Sequence, residues 1–304
     1  MGGLTWGPAV SFSAGKNFRE CQRRWFLGGP GAWHGWERWA PEHRRTAYLF
    51  KNATSFPQLA GTVLHESIAR VLKEGIAPGR DRIELEVPAA EQEFRRIVAA
   101  AKQEGWRRSP KKSPLVQELY FGQSESQIEK ARQDFVYYRE RLATQLRAAL
   151  SGEVLAKVFE DARLMPMKVD ELEKVTWRDL PLWVALDVRM GDFGERSYLV
   201  DWKTGKPRES DVEQVLVYMD ATGIREAKLV YLATGEVNTV QHPTPEEIAP
   251  IYERLRGFYQ QVVNVTGKEE RPDTDDDWIE AFPMNEGTQC GRCEFMEICH
   301  GAST

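Results

Sequence analysis

The chain has 304 residues, 41% apolar and 29% charged, and a formal net charge of −5 at neutral pH. That length can bury one large core or two small ones, and the composition is ordinary for a soluble protein. The mild acidity excludes a simple basic protein that coats nucleic acid but leaves room for a local DNA-binding patch. No apolar run approaches the roughly 20 residues that cross a bilayer, so no membrane partner is expected. Residues 1–10 have neither the basic segment nor the apolar core of an export signal, and a cytoplasmic location is expected.

In chain order, Ser11-Phe12-Ser13 reads as a helix N-cap region. The spacing of Phe18, Cys21, Trp25 and Phe26 then predicts one helix over 14–27, which also carries Arg19, Arg23 and Arg24. A loop rich in Gly, Pro and Trp follows over 28–41. A second helix is predicted from about Gln58 to Lys73, with Gly75 as its stop. The stretch 84–150 is helical and polar in pattern, interrupted at Ser109-Pro110 and Ser113-Pro114. After Gly152 the pattern changes to short β-prone runs at 169–177, 182–190 and 197–202, divided by the turn signals Arg178-Asp179 and Gly191-Asp192. A helix over 210–221 and strands at 228–233 and 237–241 come next. Thr244-Pro245-Glu246-Glu247 starts a helix that runs to about Val265: Thr is the cap, Pro sits in the first turn and Glu stands three past the cap. An acidic stretch over 273–277 leads into the tail. The whole reads as a central α/β unit with helical additions.

Four cysteines are present, and three stand in the tail as a C-x2-C-x5-C run: Cys290, Cys293 and Cys299. The fourth, Cys21, is nearly the whole chain away. Without an export signal the thiols are expected to be reduced, and close C-x2-C spacing then favours a metal over disulfides. Four thiolates suit an iron–sulfur cluster or zinc. Ligands from both ends would make that centre a structural staple.

The segment 198–205, Tyr-Leu-Val-Asp-Trp-Lys-Thr-Gly, is the second signal. Alternate side chains of a strand share a face, so Asp201 and Lys203 point the same way at the end of an apolar run. Asp187 sits within another apolar strand. Two carboxylates and one lysine converging at a sheet edge are costly unless a cation is shared, and they suggest a Mg2+ or Mn2+ site for phosphodiester hydrolysis. A buried Asp–Lys pair that serves packing alone is the competing reading.

Taken in order, these residues resemble the PD-(D/E)XK nuclease superfamily, and more closely its RecB-like branch with a four-cysteine iron–sulfur cluster, which includes AddAB-type and CRISPR-adaptation nucleases. Cys21 with Arg23-Arg24-Trp25 resembles the first cluster motif, and Gly61-Thr62-Val63-Leu64-His65-Glu66 the helical motif whose histidine binds the catalytic metal. Leu186-Asp187-Val188 resembles the first acidic motif, and Asp201-Trp202-Lys203-Thr204-Gly205 the D-x-K core. Gln214 to Tyr218 resembles the helix motif after it, and the tail cysteines the remaining cluster ligands. Two positions depart from the common pattern: Trp202 stands where Tyr is frequent, and Gln22 follows Cys21 where Pro is frequent.

The resemblance implies one nuclease domain over 1–304. Its parts are a cluster-ligand region at 1–57, a helical region with the histidine motif and insertion at 58–151, a catalytic α/β core at 152–270 and a cysteine tail at 271–304. The implied fold is a restriction-endonuclease-like mixed sheet flanked by helices, with a helical insertion and an iron–sulfur clamp joining the N- and C-terminal parts. It implies Mg2+ or Mn2+ held by His65, Asp187, Asp201 and the Trp202 carbonyl, with Lys203, Gln214 and Tyr218 completing the catalytic set, and a [4Fe–4S] cluster on Cys21, Cys290, Cys293 and Cys299. The implied substrate is DNA, single-stranded or with free ends, and the implied role is an exonuclease or end- or flap-processing enzyme in recombination, repair or CRISPR adaptation. Helicase, recombinase or integrase proteins are the implied partners. A non-cleaving DNA-binding subunit of such a complex is the alternative. Arg23 and Arg24 are candidate DNA contacts, and Trp25, Trp33, Trp36 and Trp39 are candidate base-stacking residues.

Overall fold

The computed structural model describes residues 7–74, 80–122, 124–158, 165–191, 197–266 and 276–300. The helix predicted over 14–27 is two helices, α1 (Phe12–Glu20) and α2 (Gln22–Gly28). The break is at Cys21, whose backbone is extended at φ −163° and ψ 115°. Its N–H closes α1 onto the Asn17 carbonyl, and its Sγ accepts from the Arg24 N–H that opens α2. One residue thus ends one helix and caps the next.

A 3-10 turn at Pro30–Ala32 leads to α3 (Glu42–Lys51), a helix the loop-like composition before it obscured. Gly35 makes that approach possible, because a Cβ there would stand 2.4 Å from the Arg44 carbonyl oxygen and 2.5 Å from Tyr48 Cβ. The helix α4 (Phe56–Lys73) starts at a reciprocal Ser55–Gln58 capping box with Pro57 in its first turn. It buries Leu59, Val63, Leu64, Ile68 and Val71 along one face. Its expected stop, Gly75, lies outside the described residues.

The polar helical stretch becomes α5 (Arg80–Lys102), α6 (Gln117–Tyr120) and α7 (Glu125–Leu150), with a 3-10 turn at Gly105–Arg107. The Pro-containing segment at 109–114 separates α5 from α6, as expected of residues that cannot continue a helix. α4, α5 and α7 pack on one another, and their apolar faces, with the inner side of the sheet, form one core around Leu64, Phe94, Leu142 and Leu146. After Ser151 one more short helix, α8 (Gly152–Val158), precedes the strands.

The sheet has five strands in sequence order: β1 (Met165–Trp177), β2 (Leu180–Gly191), β3 (Ser197–Lys203), β4 (Glu226–Tyr231) and β5 (Glu236–Gln241). β1 to β3 form an antiparallel meander, and β4 pairs antiparallel with β5. β3 and β4 are parallel, and the connection between them carries α9 (Glu209–Thr222). β3 is therefore central, and Tyr198 to Trp202 are all buried. Its apolar side chains divide between two cores. Leu199 joins the one built around Phe26, Val217 and Phe258, while Val200 and Trp202 join the helical one.

α10 (Pro245–Thr266) packs on α9 and α1. The tail is α11 (Asp276–Ala281), a 3-10 turn at Thr288–Arg292 and α12 (Met296–His300). It returns to the N-terminal helices: Arg23 Nε donates to the Phe282 carbonyl at 2.8 Å, and Asn285 Nδ2 donates to the Glu20 carbonyl at 2.9 Å.

Candidate active site and cysteine pocket

The register of β2 and β3 sets the first pair of acids. Val188 pairs with Val200, and the next residues along the two strands are Asp187 and Asp201. Directly opposed residues of an antiparallel pair share a face, so both carboxylates lie at the same end of the central strands. Asp187 Oδ2 accepts the Trp202 backbone N–H at 2.8 Å. Its Oδ1 lies 3.3 Å from His65 Nδ1 on α4. A carboxylate only accepts, so Nδ1 carries the proton, and in the neutral ring Nε2 then keeps its lone pair.

Asp201 is the more confined of the two acids, 8% exposed. Lys203 Nζ stands 2.6 Å from its Oδ2 and forms an ion pair with it. Burial first, and the charge of Asp187 second, push the Asp201 carboxyl up to about 6. Burial works against charge on Lys203 and His65 too. In both it is outweighed by the nearby carboxylates, chiefly Asp201 for Lys203 and Asp187 for His65, and both pKa values lie above their ordinary range.

Lys203 is held from its far side. Gln214 Oε1 on α9 accepts from Lys203 Nζ at 2.8 Å, and Gln214 Nε2 donates to the Tyr218 hydroxyl at 3.1 Å. Gln214 and Tyr218 are four apart on one helix face, so a single helix supplies both links. Burial raises the Tyr218 pKa, which keeps its hydroxyl protonated.

Of the residues expected from sequence, His65, Asp187, Asp201, Trp202, Lys203, Gln214 and Tyr218 form one connected set. Two neighbours carried no motif. Arg141 Nη2 and Gln145 Nε2, both on α7, donate to the Thr204 carbonyl at 2.6 and 3.0 Å. A signal for Gln145 existed: it is the polar residue within the buried stripe Leu142, Ala143, Leu146 and Ala149, and a buried amide needs partners.

The four cysteines line one pocket with Glu20, Arg24, Leu27, Phe295 and Met296. Burial pushes the Cys293 thiol up to about 11 and raises Cys299 as well. Arg24 lines this pocket, and Arg23 is engaged by the Phe282 carbonyl. Arg24 pairs with Glu294 through Nε and with Glu20 through Nη1, so its head ties helix to tail rather than facing solvent freely. Trp25 is core, edge-on to Phe258 and Phe282. Trp36 and Trp39 are exposed, in a loop with Trp33 and His34.

Among the described residues no three His, Cys, Asp or Glu side chains already stand as a metal-holding group. The chemistry of the residues nonetheless fits a cation at the first site. Two acids, one of them buried, share one lysine there. At the second site the donor set, four thiols from both ends of the chain on one pocket wall, fits a thiolate-bound centre.

A mixed sheet flanked by helices, with paired acids and a lysine at the end of its central strands, defines a class of metal-dependent phosphodiester hydrolases. The model of the PD-(D/E)XK nuclease superfamily matches residues 9–300, and the chain belongs to that superfamily. Membership implies nuclease chemistry on DNA with a divalent metal ion. No curated protein matches the chain.

Proposed function

We propose that this chain is a Mg2+- or Mn2+-dependent DNA nuclease acting on single strands or free ends, as an exonuclease or an end- or flap-processing enzyme. The observation that carries the reading is the buried Asp201 carboxylate beside Asp187, with the Lys203 ammonium 2.6 Å from its Oδ2. His65, Asp187, Asp201 and the Trp202 carbonyl would hold the ion, which supplies Lewis-acid polarisation of the scissile phosphate. The imidazole favours Mn2+ over Mg2+, since nitrogen suits the softer ion. The Lys203 ammonium, aimed by Gln214, offsets charge developing on the phosphate and orients the attacking water. Asp187 fixes the His65 tautomer and holds the strand at Trp202.

The same reading includes a [4Fe–4S] cluster on Cys21, Cys290, Cys293 and Cys299 as a clamp between the termini, with zinc as the rival occupant. Its support is that all four thiols line one pocket. Protein prepared without oxygen should absorb near about 400 nm and hold about four irons per chain. Colourless protein with stoichiometric zinc would replace the cluster but leave the nuclease reading in place.

The test of activity uses end-labelled single-stranded and duplex oligonucleotides with Mn2+, Mg2+ or chelator. Metal-dependent cleavage is expected for the parent and none for Asp201→Ala or Lys203→Ala. Either variant cutting like the parent would overturn the assignment.

A further inference from the structure

One cation next to the proposed site has no ion-pair partner among the described residues. Arg141 stands on α7 with Nη2 on the Thr204 carbonyl at 2.6 Å, one residue past Lys203, and Nη1 3.5 Å from the Tyr137 hydroxyl. Those are its interactions among the described residues, and neither partner is a carboxylate. The turn that Arg141 grips continues to two more cations, Lys206 and Arg208, both exposed and neither in an ion pair with a described residue. Gly205, between Thr204 and Lys206, has open space where a Cβ would be.

Several other arginines are held in ion pairs, as Arg82 is with Glu74 and Glu86 and Arg254 with Glu213. The nearest acids, Glu209 and Asp211, lie in the first turn of α9, where they complement the helix N-terminus. Asp211 is further occupied by the Arg208 N–H and the Tyr231 hydroxyl. Among the described residues, therefore, Lys206 and Arg208 on the turn and Arg141 on α7 are three cations without an ion pair close in the chain or in space to Lys203. A planar guanidinium presents donors in a fork matched to phosphate oxygens, and Arg141 uses only part of that fork.

Tyr137 adds the second component. It lies one helical turn from Arg141 on α7, and it is 55% exposed. An exposed ring beside an unneutralised guanidinium suits a nucleotide, ring against base and cation against phosphate.

We propose that Arg141, Lys206 and Arg208 form a subsite for the phosphodiester adjoining the one to be cut, with Tyr137 stacking on a base of that single strand. The subsite rests on the nuclease reading above, and it names the substrate contacts of that site. Gln145 shares the Thr204 carbonyl but carries no charge, so it separates holding the turn from holding phosphate.

The experiment measures binding of a fluorescein-labelled single-stranded 12-mer by anisotropy over a KCl series. It uses the full chain carrying Asp201→Asn, without divalent metal. Adding Arg141→Gln should weaken binding several-fold and lower the slope of log affinity against log salt by about 0.7, the value for one lost phosphate contact on a single strand. Arg141→Lys should keep the slope. Gln145→Leu should leave it unchanged although the carbonyl bond is lost. Tyr137→Ser should weaken binding about tenfold with no change of slope.

An unchanged slope in Arg141→Gln, an equal fall in Gln145→Leu, or no binding of the 12-mer overturns the subsite. Failure of the parent to cleave DNA with any divalent metal overturns the nuclease reading instead, and the metal-free salt slope still decides the subsite.

Discussion

At the scale of single residues, Asp201 combines a function with a cost. Its carboxyl sits in a buried place that raises it to about 6. A raised acid favours the folded state below its unfolded value near 4, and that stability is lost as pH climbs through about 6. Metal-free protein is therefore expected to lose stability between about pH 4 and pH 6. Asp201→Asn should abolish cleavage, remove that loss and melt several degrees above the parent in chelator at pH 7.5. Thermal melts over a pH series decide it, and a variant less stable than the parent at pH 7.5 contradicts it. Gln214 acts one shell out. Gln214→Leu should lower kcat by about 10- to 100-fold with little change in KM, since it frees the Lys203 ammonium without touching the strand beneath it. Rates as low as those of Lys203→Ala would mean that Gln214 does more than orient.

The D-x-K acids and lysine were legible because a strand has a period of two, and one buried carboxylate in each of two apolar strands needs an explanation. Arg141 was not legible. Its partner is the Thr204 backbone carbonyl, 63 residues away, and backbone acceptors leave no mark in a sequence. Arg23 and Arg24 illustrate the same limit: charge is visible in a sequence, but not the Glu294 or Phe282 carbonyl oxygen that engages it.

At the scale of elements, the N-terminal helix pair shows where periodicity misleads. Apolar spacing from Phe18 to Phe26 continues across Cys21, so a single helix was the expectation. A side chain able to accept from the next turn ends α1 and caps α2 instead. Cys21 then has two separable roles, cap and proposed ligand. In cluster-free protein Cys21→Ser should melt near the parent, because a hydroxyl also caps, and Cys21→Ala should lose up to about 1 kcal/mol. In protein prepared without oxygen, both should lower the iron content. Equal stability of the Ser and Ala variants would remove the cap. The Arg24–Glu294 pair is the matching feature of the tail. Arg24→Glu should expose 284–300 to faster proteolysis, and adding Glu294→Arg should restore protection. Proteolysis that the second substitution leaves fast would show that the pair does not hold the tail.

At the scale of the whole molecule, β3 is the common wall of two cores, so the proposed site lies where they meet. A ligand that binds only the folded state raises its melting temperature. Mn2+ should therefore stabilise the parent by about 2.7 kcal/mol at a hundred times its dissociation constant, and Asp201→Asn far less. Equal shifts would place the ion elsewhere.

The contacts between the N-terminal helices and the tail also impose an order in time. Arg23 meets Phe282 across 259 positions and Arg24 meets Glu294 across 270. A ribosome adding about 5–20 residues each second needs tens of seconds to cover that distance. Throughout that interval Cys21 has emerged and its three companions do not yet exist, while the strands between them can already pair. Iron loading, on this reading, is the last step of maturation, after most of the chain has folded. The Cys21 thiol must survive the wait uncapped by its final neighbours, which makes the nascent chain, more than the finished protein, the form most exposed to oxidation.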